Sequence, residues 1–115
     1  LELVQRKVSA DLVVLSACET AQGKVFATEG SVGPVRAFLA AGAPRVLASL
    51  WKVDDKATQA LMVKFYALWN PPADSGRDPL PAAAALRQAQ AHVRAQDGWA
   101  HPYYWAAWVL WGLPN

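Results

Sequence analysis

Hydrophobic and polar positions change period along this chain, and each change marks an element. Leu12 to Ala17 is apolar on both faces, the pattern of a central parallel strand covered by helices on either side. The preceding Leu1–Ala10 places Leu1, Val4 and Val8 at helical spacing, but the stretch is short and reads as a connector. A loop over Glu19–Gly30 follows the strand. Ser31 is then a candidate helix cap, with Pro34 in the first turn, Val32, Val35 and Leu39 on one face, and Gly42 placed to end the helix. Arg45 to Leu50, with Val46, Leu47 and Ala48 uninterrupted, predicts a second strand. A helix between two strands makes a parallel βαβ unit the default.

Beyond the second strand the period becomes helical. Asp54 is a natural N-cap for a helix running to about Trp69, with Leu61, Phe65 and Leu68 turned inward and Lys56, Gln59 and Lys64 in water. A loop rich in Pro, Gly and Asp covers Asn70–Pro81, and a third helix runs from Ala82 to about Gln96 with Leu86, Ala89 and Val93 inward. Gly98 is the expected stop. Tyr103–Leu113 is wholly apolar, aromatic or Gly and too short to cross a bilayer, so Trp105–Trp111 is predicted as a final strand. Its aromatic density is either core packing or an edge that meets a partner subunit.

The chain's one cysteine, Cys18, lies where the first apolar run gives way to the polar loop. Reacting groups in parallel sheets gather just beyond the carboxyl ends of the strands, so Cys18 is placed where a nucleophile would be displayed. A lone cysteine at a strand end can equally be a small core hydrophobe. Asp54 and Asp55 follow the second strand on the same sheet rim, where either could reach a substrate side chain. Helix capping accounts for Asp54 without any substrate.

Several linked segments carry a wider resemblance. Leu12-Val13-Val14-Leu15-Ser16-Ala17-Cys18-Glu19-Thr20-Ala21-Gln22-Gly23 is followed by Glu29-Gly30, Ala37-Phe38-Leu39-Ala40-Ala41-Gly42-Ala43 and Ser49-Leu50-Trp51-Lys52-Val53-Asp54-Asp55. Leu61-Met62 with Phe65-Tyr66, Ala85-Leu86-Arg87-Gln88-Ala89-Gln90 and His101-Pro102-Tyr103-Tyr104-Trp105-Ala106-Ala107 continue the order. Over nearly its whole length the chain resembles the CHAT family, caspase-like peptidase domains often attached to TPR repeats.

The resemblance implies a three-layer α/β caspase-like fold, here in part, and a cysteine endopeptidase of the caspase, separase and gingipain group. Cys18 matches the nucleophile, whose own backbone N–H would supply part of an oxyanion hole, worth roughly 2.7–4 kcal/mol per donor. The family's histidine sits in a His-Gly motif upstream of the cysteine strand, and no histidine precedes Cys18 here. The dyad is incomplete in this chain, and the missing segment would supply both base and second donor. In the wider group the residue two before the nucleophile lines the specificity pocket, and Ser16 matches it. The loop after the second strand also contributes, and Trp51 matches that region. A caspase-like fold without its dyad would instead be an interaction or regulatory module.

Composition narrows the alternatives. Hydrophobic residues make up 54% of the 115 positions and include six tryptophans, more apolar surface than so short a chain buries well, so it reads as part of a larger core, and the resemblance implies that it is the C-terminal, nucleophile-bearing part of the domain. A net charge of +2 from scattered residues proposes neither nucleic acid nor an anionic membrane as partner. The partners that the resemblance implies are a protein or peptide substrate and a TPR or other regulatory region. One cysteine forms no internal disulfide, and a reducing cytoplasm is the expected setting. Gly23-Lys24-Val25 lacks the elements of a P-loop, Gly30–Gly33 completes no dinucleotide fingerprint, and Cys18, His92 and His101 have no metal-ligand spacing. No cofactor or metal is expected. His92 reads as a solvated or half-buried helical position and His101 as a turn residue, so neither matches the dyad histidine.

Overall fold

The computed structural model describes residues 11–17 and 32–115. The expected connector over 1–10, Cys18, the loop over 19–30 and the Ser31 cap lie outside the described residues. The chain divides into two compact units, the first containing residues up to Lys52 together with Ala107–Leu113, the second Val53–Ala106 with Pro114–Asn115.

Among the described residues, the first unit is a three-stranded sheet with one helix. Strand β1 is Val13–Leu15, helix α1 is Val32–Ala40, β2 is Arg45–Ser49 and β3 is Trp108–Gly112, in the sheet order β1-β2-β3. β1 and β2 are parallel, as expected for a βαβ unit, with Val13 opposite Val46, Val14 opposite Leu47 and Leu15 opposite Ala48. Val46, Leu47 and Ala48 are wholly buried, which explains why β2 is apolar on both faces. Val46 and Ala48 pack with Val35 and Ala43, and Val13, Leu15, Phe38, Leu39 and Trp111 close around them. α1 stops where Gly42 takes φ 106°. There the Gly42 N–H donates to the Leu39 carbonyl at 3.1 Å and the Ala43 N–H to Phe38 at 3.0 Å, a Schellman closure that only a left-handed residue permits.

β3 runs antiparallel to β2, from Ser49 opposite Trp108 to Arg45 opposite Gly112. It begins three residues later than the expected Trp105, because a 3₁₀ turn at Pro102–Tyr104 takes the preceding residues. His101 Nδ1 accepts the Tyr103 N–H at 3.1 Å, and the Ala106 N–H donates to the Pro102 carbonyl at 2.8 Å. Those local bonds occupy backbone groups a longer strand would need. His101 is therefore the turn residue that its place before proline implies. At the far end Gly112 has φ 97°, and a Cβ there would collide with the Pro44 carbonyl oxygen.

The second unit is built on α2, Asp55–Trp69, and α3, Ala82–Arg94. Asp54 caps α2 as expected, its Oδ2 accepting the Ala57 N–H at 3.0 Å. Ala57, Leu61 and Phe65 form the buried stripe of α2, with Leu68 half-buried. α3 buries Ala82, Ala85, Leu86, Ala89 and Val93, and it ends two residues before the expected Gln96. Its alanines let the two helices pack closely. The Gln90 side chain donates to the Trp105 carbonyl at 3.0 Å, tying α3 to the turn before β3. Val63, at 64% exposure, is an apolar residue left in water on α2.

Candidate functional site

The sheet positions the candidate site from below. β1 and β2 run the same way with Leu15 opposite Ala48, so Ser16 and Ala17 leave β1 on the rim where β2 ends at Ser49 and Leu50 and Trp51 follow. This is the carboxyl end of the parallel pair, where strand polarity leaves room for a ligand. Ser16 is exposed there and Trp51 half-buried.

Ser49 joins the two strand ends. Its side chain is 1% exposed, and its Oγ accepts the Ala17 N–H at 2.7 Å, beyond the last Cα pair of the β1-β2 ladder. The bond fixes the amide of the residue immediately before Cys18 to the neighbouring strand. Sequence reasoning did not single out Ser49 as a site residue. The available signal was a hydroxyl within the otherwise apolar run Val46-Leu47-Ala48-Ser49-Leu50. A buried hydroxyl needs a partner, and an adjacent strand end is where one is found.

The remaining candidates are distributed as follows. Cys18 lies outside the described residues. Asp54 and Asp55 belong to the second unit, at the start of α2. Asp54 is half-buried with its carboxylate engaged in the cap, and Asp55 is exposed in the first turn. His92 is exposed near the end of α3, and His101 holds the turn at Tyr103. Among the described residues no three His, Cys, Asp or Glu side chains cluster as metal ligands. Nor is any described helix long and apolar enough to cross a membrane.

A parallel strand pair joined through a helix, an antiparallel third strand and a pair of further helices make a caspase-like α/β domain. The fold is similar to the crystal structure of the Saccharomyces cerevisiae separase-securin complex, with a TM-score of 0.54 and 25% identity over 68% of this chain and 5% of that one. The CHAT domain family model matches residues 1–113, and the chain belongs to that family. Tetratricopeptide repeat protein 28 of Mus musculus is 38% identical over 111 residues, and its Homo sapiens counterpart is 35% identical over the same length. Those matches span 96% of this chain but only 4% of either relative, so the region of similarity is a small part of two much longer TPR proteins.

Proposed function

We propose that this chain carries the nucleophile of a caspase-like cysteine endopeptidase, with Cys18 attacking the peptide carbonyl of a protein substrate. Membership of the CHAT family over residues 1–113, a span that includes the Ser16-Ala17-Cys18 strand exit, is the observation that carries this reading. The fixing of Ala17 by Ser49 supports it, since a nucleophile needs its backbone held within a few tenths of an ångström. Base and nucleophile must approach to roughly 2.6–3.2 Å, directly or through a water. In this reading the histidine comes from a segment preceding Leu1, and so does the second oxyanion donor. Thiolate formation at Cys18, attack on the carbonyl carbon, protonation of the leaving amine by the imidazolium and hydrolysis of the thioester then complete the cycle.

Ser16 and Trp51 would line the pocket for the residue before the cut. Asp55, and Asp54 if it leaves its cap, would favour Arg or Lys there. The TPR relatives support a regulatory repeat region in the parent protein, and a reducing cytoplasm suits a free catalytic thiol. The 115-residue chain by itself should show no Cys18-dependent cleavage of peptide libraries. Supplying the preceding histidine-bearing region, covalently or in trans, should restore it, and Cys18→Ala in that assembly should abolish it. Turnover that survives Cys18→Ala would refute Cys18 as the nucleophile, whereas no cleavage by the completed assembly, or a parent sequence with no His-Gly ahead of the cysteine strand, would favour the other reading, a caspase-like module that binds protein without cutting it.

A further inference from the structure

A groove of about 380 Å³ opens on the helix pair of the second unit, lined by Lys56, Gln59, Ala60, Val63, Lys64 and Ala67 of α2 and by His92 of α3. Its floor is apolar, and Val63 projects into water with 64% of its surface exposed. An exposed branched aliphatic side chain in the middle of an otherwise regular amphipathic helix is not needed for the core, which α2 builds from Ala57, Leu61 and Phe65. The rim is cationic. Lys56 and Lys64 stand eight positions apart on α2, about 12 Å at 1.5 Å per residue, with Val63 on the face of Lys56 and Lys64 turned about 100° from it. No acidic side chain lines the groove. The nearest in sequence is Asp55, in the first turn of α2.

We propose that this groove is the docking site for an acidic amphipathic helix of a partner protein. Lys56 to Ala67 runs three turns along α2 with His92 of α3 at its side, a face along which a third helix can lay an apolar stripe. An aliphatic side chain of the partner would cover Val63 between Ala60 and Ala67. A carboxylate about two turns along would meet Lys56, another level with Val63 but to its side would meet Lys64, and the imidazole of His92 would donate a further hydrogen bond. The basic rim selects against a basic helix by like-charge contact, so specificity comes from the rim and affinity from the apolar floor. The proposal stands on the groove alone and is independent of any peptidase activity.

The probe is a labelled helical peptide of about 18 residues with Leu along one stripe and Glu flanking it, long enough to hold its helix. A version with Lys in place of Glu serves as its opposite, and binding to the 115-residue chain is followed by fluorescence anisotropy. The acidic peptide should bind saturably and weaken with added salt, and the basic peptide should not bind. Val63→Asp and the double variant Lys56→Glu with Lys64→Glu should each weaken the acidic peptide about tenfold or more, which corresponds to about 1.4 kcal/mol or more. The double variant should gain binding of the basic peptide. All these positions line an open groove, so circular dichroism melts should match the parent chain. Absence of binding by the acidic peptide, or equal binding by parent and double variant, overturns the proposal. So does self-association of the chain that Val63→Asp abolishes, because the occupant would then be a second copy.

Discussion

Replacing Ser49 with Ala removes one oxygen atom and tests how the strand ends of the first unit are coupled. In the parent chain the Oγ is buried and accepts the Ala17 N–H at 2.7 Å, a short bond for this donor and acceptor. Ser49→Ala leaves that N–H without its protein acceptor. A buried donor stripped of its partner costs about 1–3 kcal/mol, and because Ala17 is only half-buried, water recovers part of it, so the expected loss is about 1–2 kcal/mol. Ser49→Thr keeps the acceptor but forces a methyl group into a filled site, and should lose a similar amount through overpacking while retaining the bond. Urea unfolding measures the global loss. Hydrogen exchange at the Ala17 amide separates the causes: Ser49→Ala should lower its protection relative to β1 by about 5–30-fold, and Ser49→Thr should leave that relative protection in place. Unchanged relative protection of Ala17 in Ser49→Ala would mean that the hydroxyl does not hold the strand exit, and the positioning argument would fail. In the histidine-completed enzyme the same substitution should lower kcat about tenfold with little change in KM, as a misplaced nucleophile does.

Gly112→Ala should destabilise the chain by at least about 2 kcal/mol in chemical denaturation, since the positive φ is strained for any side chain and the new Cβ meets the rigid Pro44 carbonyl; a loss under about 0.5 kcal/mol would contradict that geometry. Asp54→Ala should cost about 1 kcal/mol through the lost bond to Ala57, whereas Asp54→Asn should preserve most of it, and equal melting of the two variants would argue against the cap. In the completed enzyme, Asp54→Asn together with Asp55→Asn should erase a preference for Arg or Lys before the cut, and an unchanged cleavage profile would make both aspartates structural. The 115-residue chain should associate with rising concentration in sedimentation velocity runs, because among the described residues β1 pairs only with β2 and Val14 is 38% exposed. Val14→Lys should reduce that association and Val63→Asp should not, and a parent chain that stays monomeric at high concentration would refute the open edge.

Sequence alone determined the features whose causes are local. The caps at Asp54 and Gly42 depend on bonds within a few residues, so residue type and position announce them. The buried stripes of α2 and α3 follow from 3.6-residue spacing, and the two-sided burial of β2 follows from an unbroken apolar run. Linked motifs from Leu12 to Ala107 were enough to indicate the family that the match over residues 1–113 establishes. The tertiary structure decided what depends on residues far apart in the chain. Ser49 meets Ala17 across 32 positions, so the value of its hydroxyl is invisible to any local pattern. The direction of β3 and its late start were settled by pairing with β2 and by the turn bonds around His101 and Pro102, which period alone does not weigh against a strand. Gly112 matters because the backbone at Pro44 passes beside it, and Val63 matters because no described element covers it. Local propensity acts through neighbours in sequence, whereas register, close approach and exposure are set only when distant segments compete for the same space.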